Sequence, residues 1–196
     1  MKILHINTEK TWRGGEQQTL NLLMGLKRRN ISSHLLCQPD SPMAEKAEDI
    51  GIKVFPISMH GEIDLLACVR IRALINRFRY DILHSHTSHA HTLAFLSSLG
   101  INTHRLVTRR VDFSIFLHSF LKLSGIKYRY MSYFYIAISH KVKEVLVHDG
   151  IPAGRIFVVP SGISPNRFAS VGKDHLISEF NIKSSDQVVI NVAHLA

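Results

Sequence analysis

Apolar residues fall along the chain in two alternating rhythms. Short, near-continuous runs at 3–6, 33–37, 53–57, 81–86, 105–111, 135–139 and 156–159 read as strands. Between them, apolar residues recur three and four apart, the spacing of amphipathic helices. One helix opens at Glu16, carries Leu20, Leu23 and Met24 on its apolar side, and ends in Lys27-Arg28-Arg29, cations suited to the negative end of a helix dipole. A second spans 42–50 and stops at Gly51. The third, 62–78, has the clearest pattern: Ile63, Ala67, Ile71, Leu74, Ile75 and Phe78 share one side, and Arg70, Arg72 and Arg77 fall off it. Helices at 91–99, capped by Gly100, and 140–148, closed by Gly150, complete the set. Strands that alternate with helices and are apolar on both faces predict an α/β fold, a doubly wound, mainly parallel, Rossmann-like sheet.

Beyond this the pattern weakens. The stretch 166–185 is polar and interrupted, with Leu176 to Phe180 long enough for a helical turn. Val188 to Val192 is apolar again and reads as a strand, either a further sheet edge or the opening of a second domain.

Composition narrows the class. Of 196 residues, 45% are hydrophobic and 20% charged, which excludes disorder as the main state. No apolar run reaches the roughly 18 residues of a spanning helix. The opening MKILHIN lacks an apolar signal-peptide core, so a cytoplasmic protein is expected, with Cys37 and Cys68 as reduced thiols. Lys and Arg number 24 against 15 Asp and Glu, a net +9, which favours anionic partners. The surplus is concentrated at 105–143, where eight Lys/Arg face one acid, Asp112, for a net +7.

Four clusters could carry chemistry. Gly14-Gly15 ahead of a helix lets backbone N–H groups approach an anion closely, or is a plain turn. The histidines His84, His86, His89 and His91 could hold a metal, but without a neighbouring carboxylate or thiolate, packed and pocket-edge imidazoles are the expectation. Arg109 and Arg110 end a strand and suit a phosphate or carboxylate, or a solvated basic loop. From Phe113 to Tyr135, aromatics interleave with Lys122, Lys127 and Arg129, a composition suited to anionic lipid, to RNA, or to a core.

In order, these pieces resemble the N-terminal half of GT-B glycosyltransferases of the large retaining class called group 1. The resemblance runs through GGEQQTLNLL, DILHSH, LVTRR, YIAISHKVKEVL, IFVVPSGI and VVINVAHLA. Two positions depart from it: Arg110 stands where the family usually has histidine, and Ser161-Gly162-Ile163-Ser164 replaces Asn-Gly-x-Asp. The resemblance implies an acceptor-side domain over 1–168, a linker over 169–185, and at 186–196 the first strand of a donor-binding domain. It implies sugar transfer from a nucleotide-sugar to a glycan or lipid-linked acceptor with retention, by an enzyme whose isolated half would be inactive. Arg110 and Arg109 would be catalytic, and Gly14, Gly15, Glu16, His86, Ser139 and Gly162 would bind substrate. No metal, no cofactor beyond the nucleotide-sugar co-substrate and no nucleic acid are expected, and peripheral contact with the inner face of an anionic membrane is. Two rivals stand: a non-catalytic phosphate- or nucleic-acid-binding module, and a sugar-nucleotide epimerase of the same architecture.

Overall fold

The computed structural model describes residues 1–114, 128–163, 174–183 and 185–189. The described chain divides into two compact units, Met1–Gly162 and Ile163–Ala196.

The first unit holds β1 (Lys2–Ile6), α1 (Gly14–Arg28), β2 (Ser32–Cys37), α2 (Pro42–Asp49), β3 (Lys53–Pro56), α3 (Leu65–Phe78), β4 (Ile82–Ser85), α4 (Ser88–Ser97), β5 (His104–Arg109), β6 (Phe134–Ala137), α5 (His140–His148) and β7 (Ile156–Val158). Seven strands form one sheet in the order β3-β2-β1-β4-β5-β6-β7, and every pairing is parallel. This is the expected doubly wound α/β fold. The order reverses between β1 and β4, which places a crevice at the carboxyl ends of these two strands.

Alternation along the strands divides the core. Leu4, Ile6, Leu36 and Leu83 enter one cluster with Ala67, Ile71 and Ile75 of α3 and Leu93 of α4. Leu35 and Cys37 turn to the opposite face and meet Leu20 and Leu23 of α1 and Met43 and Ala47 of α2. A third cluster joins Val107, Tyr135, Ala137 and Ile156 to Val142 and Leu146 of α5. Leu4 and Leu83 take one face, so His5 and His84, opposite each other in the β1–β4 register, take the other.

Caps fix where helices start. Ser41, Asp64, Thr87 and Ser139 each accept a hydrogen bond from the backbone N–H three residues on, at the heads of α2, α3, α4 and α5. At α1 the carboxylate of Glu16 reaches back to the N–H of Arg13 at 3.0 Å. These contacts correct three boundaries. Helix α1 begins at Gly14 rather than Glu16, and α4 at Ser88 rather than His91. Helix α3 begins after Asp64, so Ile63 precedes it and lies exposed instead of joining the core. Gly51 and Gly150 follow their helices at φ +67 and +92, conformations that glycine adopts without strain.

The second unit contains a short helix, α6 (Asp174–Glu179), over the turn expected at Leu176. Of the strand expected at 188–192, Val188 and Val189 are exposed and outside any strand, because no neighbouring strand pairs with them among the described residues. The remainder lies outside the described residues.

Candidate functional site

The crevice is built from the ends of β1, β4 and β5 and the first turns of α1. Asn7, just past β1, donates from Nδ2 to Oε1 of the buried Glu16 at 3.1 Å. Its own Oδ1 accepts the N–H of Glu9 at 2.9 Å, which folds the β1–α1 loop back on itself. Thr8 and Thr87, at the ends of neighbouring strands, share a 2.6 Å hydroxyl bond.

Arg110 follows β5 and crosses the edge. Its guanidinium donates to the carbonyl of His86 at 3.1 Å and to His86 Nδ1 at 3.1 Å, and reaches Thr19 Oγ1 on α1 at 3.3 Å. One side chain thus ties β5, β4 and α1 together. Burial draws the Arg110 pKa down, and the Glu16 carboxylate pulls it back up. Arg109 turns elsewhere, donating to Tyr128 Oη at 3.0 Å and to the carbonyl of Phe113 at 2.8 Å, with its guanidinium over both rings. The two arginines therefore do not form one bidentate clamp. They border the same cavity, about 510 Å³, with Thr108, Phe113 and Tyr128 on the β5 side and His86, Thr87 and Glu62 from β4 and the head of α3.

The histidine cluster resolves into parts. His86 Nε2 and His5 Nδ1 lie 3.0 Å apart, and His84 Nε2 lies 2.7 Å from Thr108 Oγ1. All three rings are buried and held neutral: burial lowers the His5 pKa to about 3 and drives those of His84 and His86 well below the usual value, with Arg110 adding repulsion. One ring nitrogen from each lies within 4.8 Å of the others, a spacing a metal could use. The ring nitrogens of His86 are engaged by Arg110 and His5, so a metal there would have to displace one of these partners. His89 is exposed, and His91 is buried in α4 with its Nε2 2.7 Å from Ser132 Oγ.

The other expected residues fall as follows. Gly14 and Gly15 form the first turn of α1, not a loop. A Cβ on Gly14 would meet nothing within 4 Å, and one on Gly15 would meet only Arg110 Cδ at 3.8 Å, so neither glycine is demanded by the protein's own packing. Gly162 exchanges two backbone bonds with the Gln18 side chain, at 2.8 and 3.2 Å, which holds the β7 exit against α1. Ser139 has its hydroxyl oxygen committed to the Val142 N–H at the head of α5. Within the aromatic and basic stretch, Tyr128 and Tyr135 are core, the Tyr135 hydroxyl donating to the Tyr128 carbonyl, while Tyr130, Tyr133 and Phe134 are exposed. Phe116, Phe120, Lys122 and Lys127 lie outside the described residues.

Sequence reading missed His5, Thr19 and Asn7. Thr19 is four residues from Gly15 on one helix face, a usable signal. His5 is 79 residues from His84 and meets it only because β1 pairs with β4.

A family model described as Glycosyltransferase Family 4 matches residues 12–167. The Anabaena protein HepE, solved in complex with UDP, superposes with a TM-score of 0.74 at 16% identity, over 92% of this chain and 50% of its own. A glycosyltransferase from Rickettsia africae gives 0.72 at 17%, over 94% and 50%. A UDP-GlcNAc 2-epimerase from Methanocaldococcus jannaschii, in complex with UDP-GlcNAc and UDP, gives 0.62 at 14%, over 81% and 46%. At these identities the likeness is one of fold, and the chain spans about half the length of each. No curated protein matches the chain by sequence.

Proposed function

The chain belongs to Glycosyltransferase Family 4, and from that premise we propose that it forms the acceptor-side wall of a GT-B cleft. In that cleft a sugar passes from a nucleotide-sugar to a glycan or lipid-linked acceptor with retention at the anomeric carbon. The carrying observation is Arg110. When the bond from sugar to diphosphate breaks, negative charge grows on the leaving group. A cation already fixed in place, in a partly water-excluded site, stabilises that charge without reorganising at the moment of reaction. Arg110 has this character: its stem lies against Gly15 and its N–H groups are anchored on β4 and α1.

Arg109, with Tyr128 and Phe113, forms the cavity wall on which an acceptor sugar or its phosphate would rest. Gly14, Gly15, Glu16, Gly162 and Ser139 would bind substrate in the complete cleft, as the resemblance implies, although none of them lines this cavity. We assign no metal to the reaction, since the guanidinium supplies the charge, and place the enzyme on the cytoplasmic side. Among the described residues no helix is long and apolar enough to cross a membrane. Reaction in a cleft needs both walls to hold the reacting groups, so turnover belongs to a protein that carries this domain together with a donor-binding half.

The test is release of nucleoside diphosphate from a panel of nucleotide-sugars by that protein, in the presence and absence of glycan and lipid-linked acceptors. Acceptor-dependent release with an α-linked product from an α-linked donor is expected, and Arg110→Ala should lower turnover about 100- to 1000-fold. Conversion of the sugar nucleotide to its epimer without acceptor would replace the transferase reading by the epimerase one. Failure of every donor to turn over would leave the binding module.

A further inference from the structure

The cavity beside Arg109 carries charge of both signs, and the two signs come from different elements. Arg109 and Arg110 enter from the end of β5. Glu62, the one carboxylate among the described residues that line the cavity, enters from the turn ahead of α3. Asp64 cinches that turn: one of its carboxylate oxygens accepts the N–H of His60 at 3.0 Å, and the other accepts the N–H of Ala67 at 2.9 Å. Glu62 therefore leaves a backbone tied on both sides. Ser88, in the first turn of α4, donates from Oγ to Glu62 Oε1 at 3.1 Å. This holds the carboxylate at the positive end of the α4 dipole, where negative charge is favoured. Its counterpart is the Arg109 guanidinium, fixed by Tyr128 Oη and the Phe113 carbonyl. A guanidinium has five N–H donors, and these two bonds use two of them.

We infer that Glu62 sets the direction in which an acidic saccharide lies in this cavity. The ligand's anionic group, a phosphate or a carboxylate, goes to Arg109, and its ring hydroxyls donate to Glu62. Without Glu62, the head of α4 and the arginines would all draw an anion, and such a ligand could lie either way round. With it, the reversed pose gives up a charge-assisted bond to Arg109 and sets two anions against each other. Like-charge opposition of this kind fixes the register of a bound partner more than it raises affinity. The direction matters for chemistry because it decides which hydroxyl of an acceptor is turned toward Arg110 and the departing diphosphate. Glu62 is thus a specificity-determining residue for the position of the new linkage. This last step rests on the transferase reading, whereas the orientation of a bound acid does not.

Intermolecular NOE spectra of the 196-residue chain read the direction. The acidic probes are D-glucuronate and D-glucose 6-phosphate, each with its charge at carbon 6, and D-glucose is the neutral one. Phe113 and Tyr128 flank Arg109, so their ring protons should show NOEs to H5 of the acids and not to H1 at the far end. Glucose should bind about tenfold more weakly than either acid, and Arg109→Gln should remove that difference. Glu62→Gln, at an exposed position, keeps the size of the side chain and removes its charge. The acids should still bind to this variant, but with NOEs to both H5 and H1. Orientation of only the uronate or only the phosphate supports the proposal and names the anion. Equal binding of glucose, binding of no probe, both directions in the parent, or one direction kept in Glu62→Gln would each overturn it. In the protein that carries both walls, an acidic acceptor should gain one linkage in the parent and a mixture in Glu62→Gln. Turnover with the same single linkage in both sinks the role of Glu62 and leaves the transferase standing. Oriented probes without any turnover would do the reverse.

Discussion

Arg110 donates one hydrogen bond to the carbonyl of His86 and a second to its Nδ1, and this pair sets the protonation of a buried imidazole chain. A guanidinium only donates, so Nδ1 of His86 must carry its lone pair. The neutral ring then bears its proton on Nε2, which faces His5 Nδ1 at 3.0 Å. His5 must accept there, so its proton also sits on Nε2, a buried atom with no partner among the described residues. Order thus runs from a fixed cation through two rings, and the cation is the origin.

Removing that origin should show in the rings. With Arg110→Ala, His86 Nδ1 and Thr19 lose their donor, at a cost of about 1–3 kcal/mol in stability. Nitrogen-15 spectra of the histidines should show a single Nε2–H form for His86 in the parent and a mixture in the variant. An unchanged tautomer in Arg110→Ala would show that the chain of order starts elsewhere.

Gly15 offers a change with opposite signs for stability and binding. It lies in the first turn of α1, and the site of a Cβ meets only Arg110 Cδ at ordinary contact distance. Gly15→Ala should therefore stabilise the chain by about 0.5–1 kcal/mol through the lost flexibility of the unfolded state. If a ligand's phosphate rests on the backbone here, the same substitution should weaken its binding while melting rises. A lowered melting temperature would mean that the glycine serves the fold.

Glu16 joins the loop after β1 to the head of α1 with both carboxylate oxygens. Glu16→Ala strands the Asn7 amide and the Arg13 N–H and removes the carboxylate whose charge raises the Arg110 pKa. A loss of about 2–3 kcal/mol is expected from these buried groups. Denaturant melts will measure it, and a change under about 0.5 kcal/mol would place Glu16 outside the supporting structure.

The parallel sheet was legible because runs such as Leu35-Leu36 are apolar on both faces, and the two core clusters they feed explain why. Helix ends were less so. Glycine is a poor helix former, and it takes the reach of Glu16 back to Arg13 and the backbone bond from Gln17 N–H to the Arg13 carbonyl to show that α1 starts at Gly14. Ile63 has the spacing of a core residue, but a cap at Asp64 outranks periodicity and leaves it outside. Of the site, Arg110 and His86 could be picked out from strand ends. Their bond to each other, and His5 as the third ring, depended on which strands pair, and no local pattern encodes that.

The histidine chain should also make the fold sensitive to acid well before its carboxylates titrate. In the folded state burial holds His5 near a pKa of about 3, and His84 and His86 well below the usual value. In the unfolded chain the same residues titrate near pH 6.5. Below that pH the unfolded state binds more protons than the folded one, so stability present above pH 6.5 is lost as pH falls. The loss continues toward pH 3 for His5. Each such histidine contributes a slope of up to about 1.4 kcal/mol per pH unit. The three rings act in the same direction, against a whole stability of about 5–15 kcal/mol for an ordinary domain. His34, lowered by burial and by Lys53 and Lys2, adds in the same direction. The direct measurement is proton uptake on urea unfolding in weakly buffered solution at pH 5.5, where at least two protons per chain should be taken up. Uptake below one proton would mean that the rings are already charged in the fold, and the neutral chain from Arg110 through His86 to His5 would fall with it.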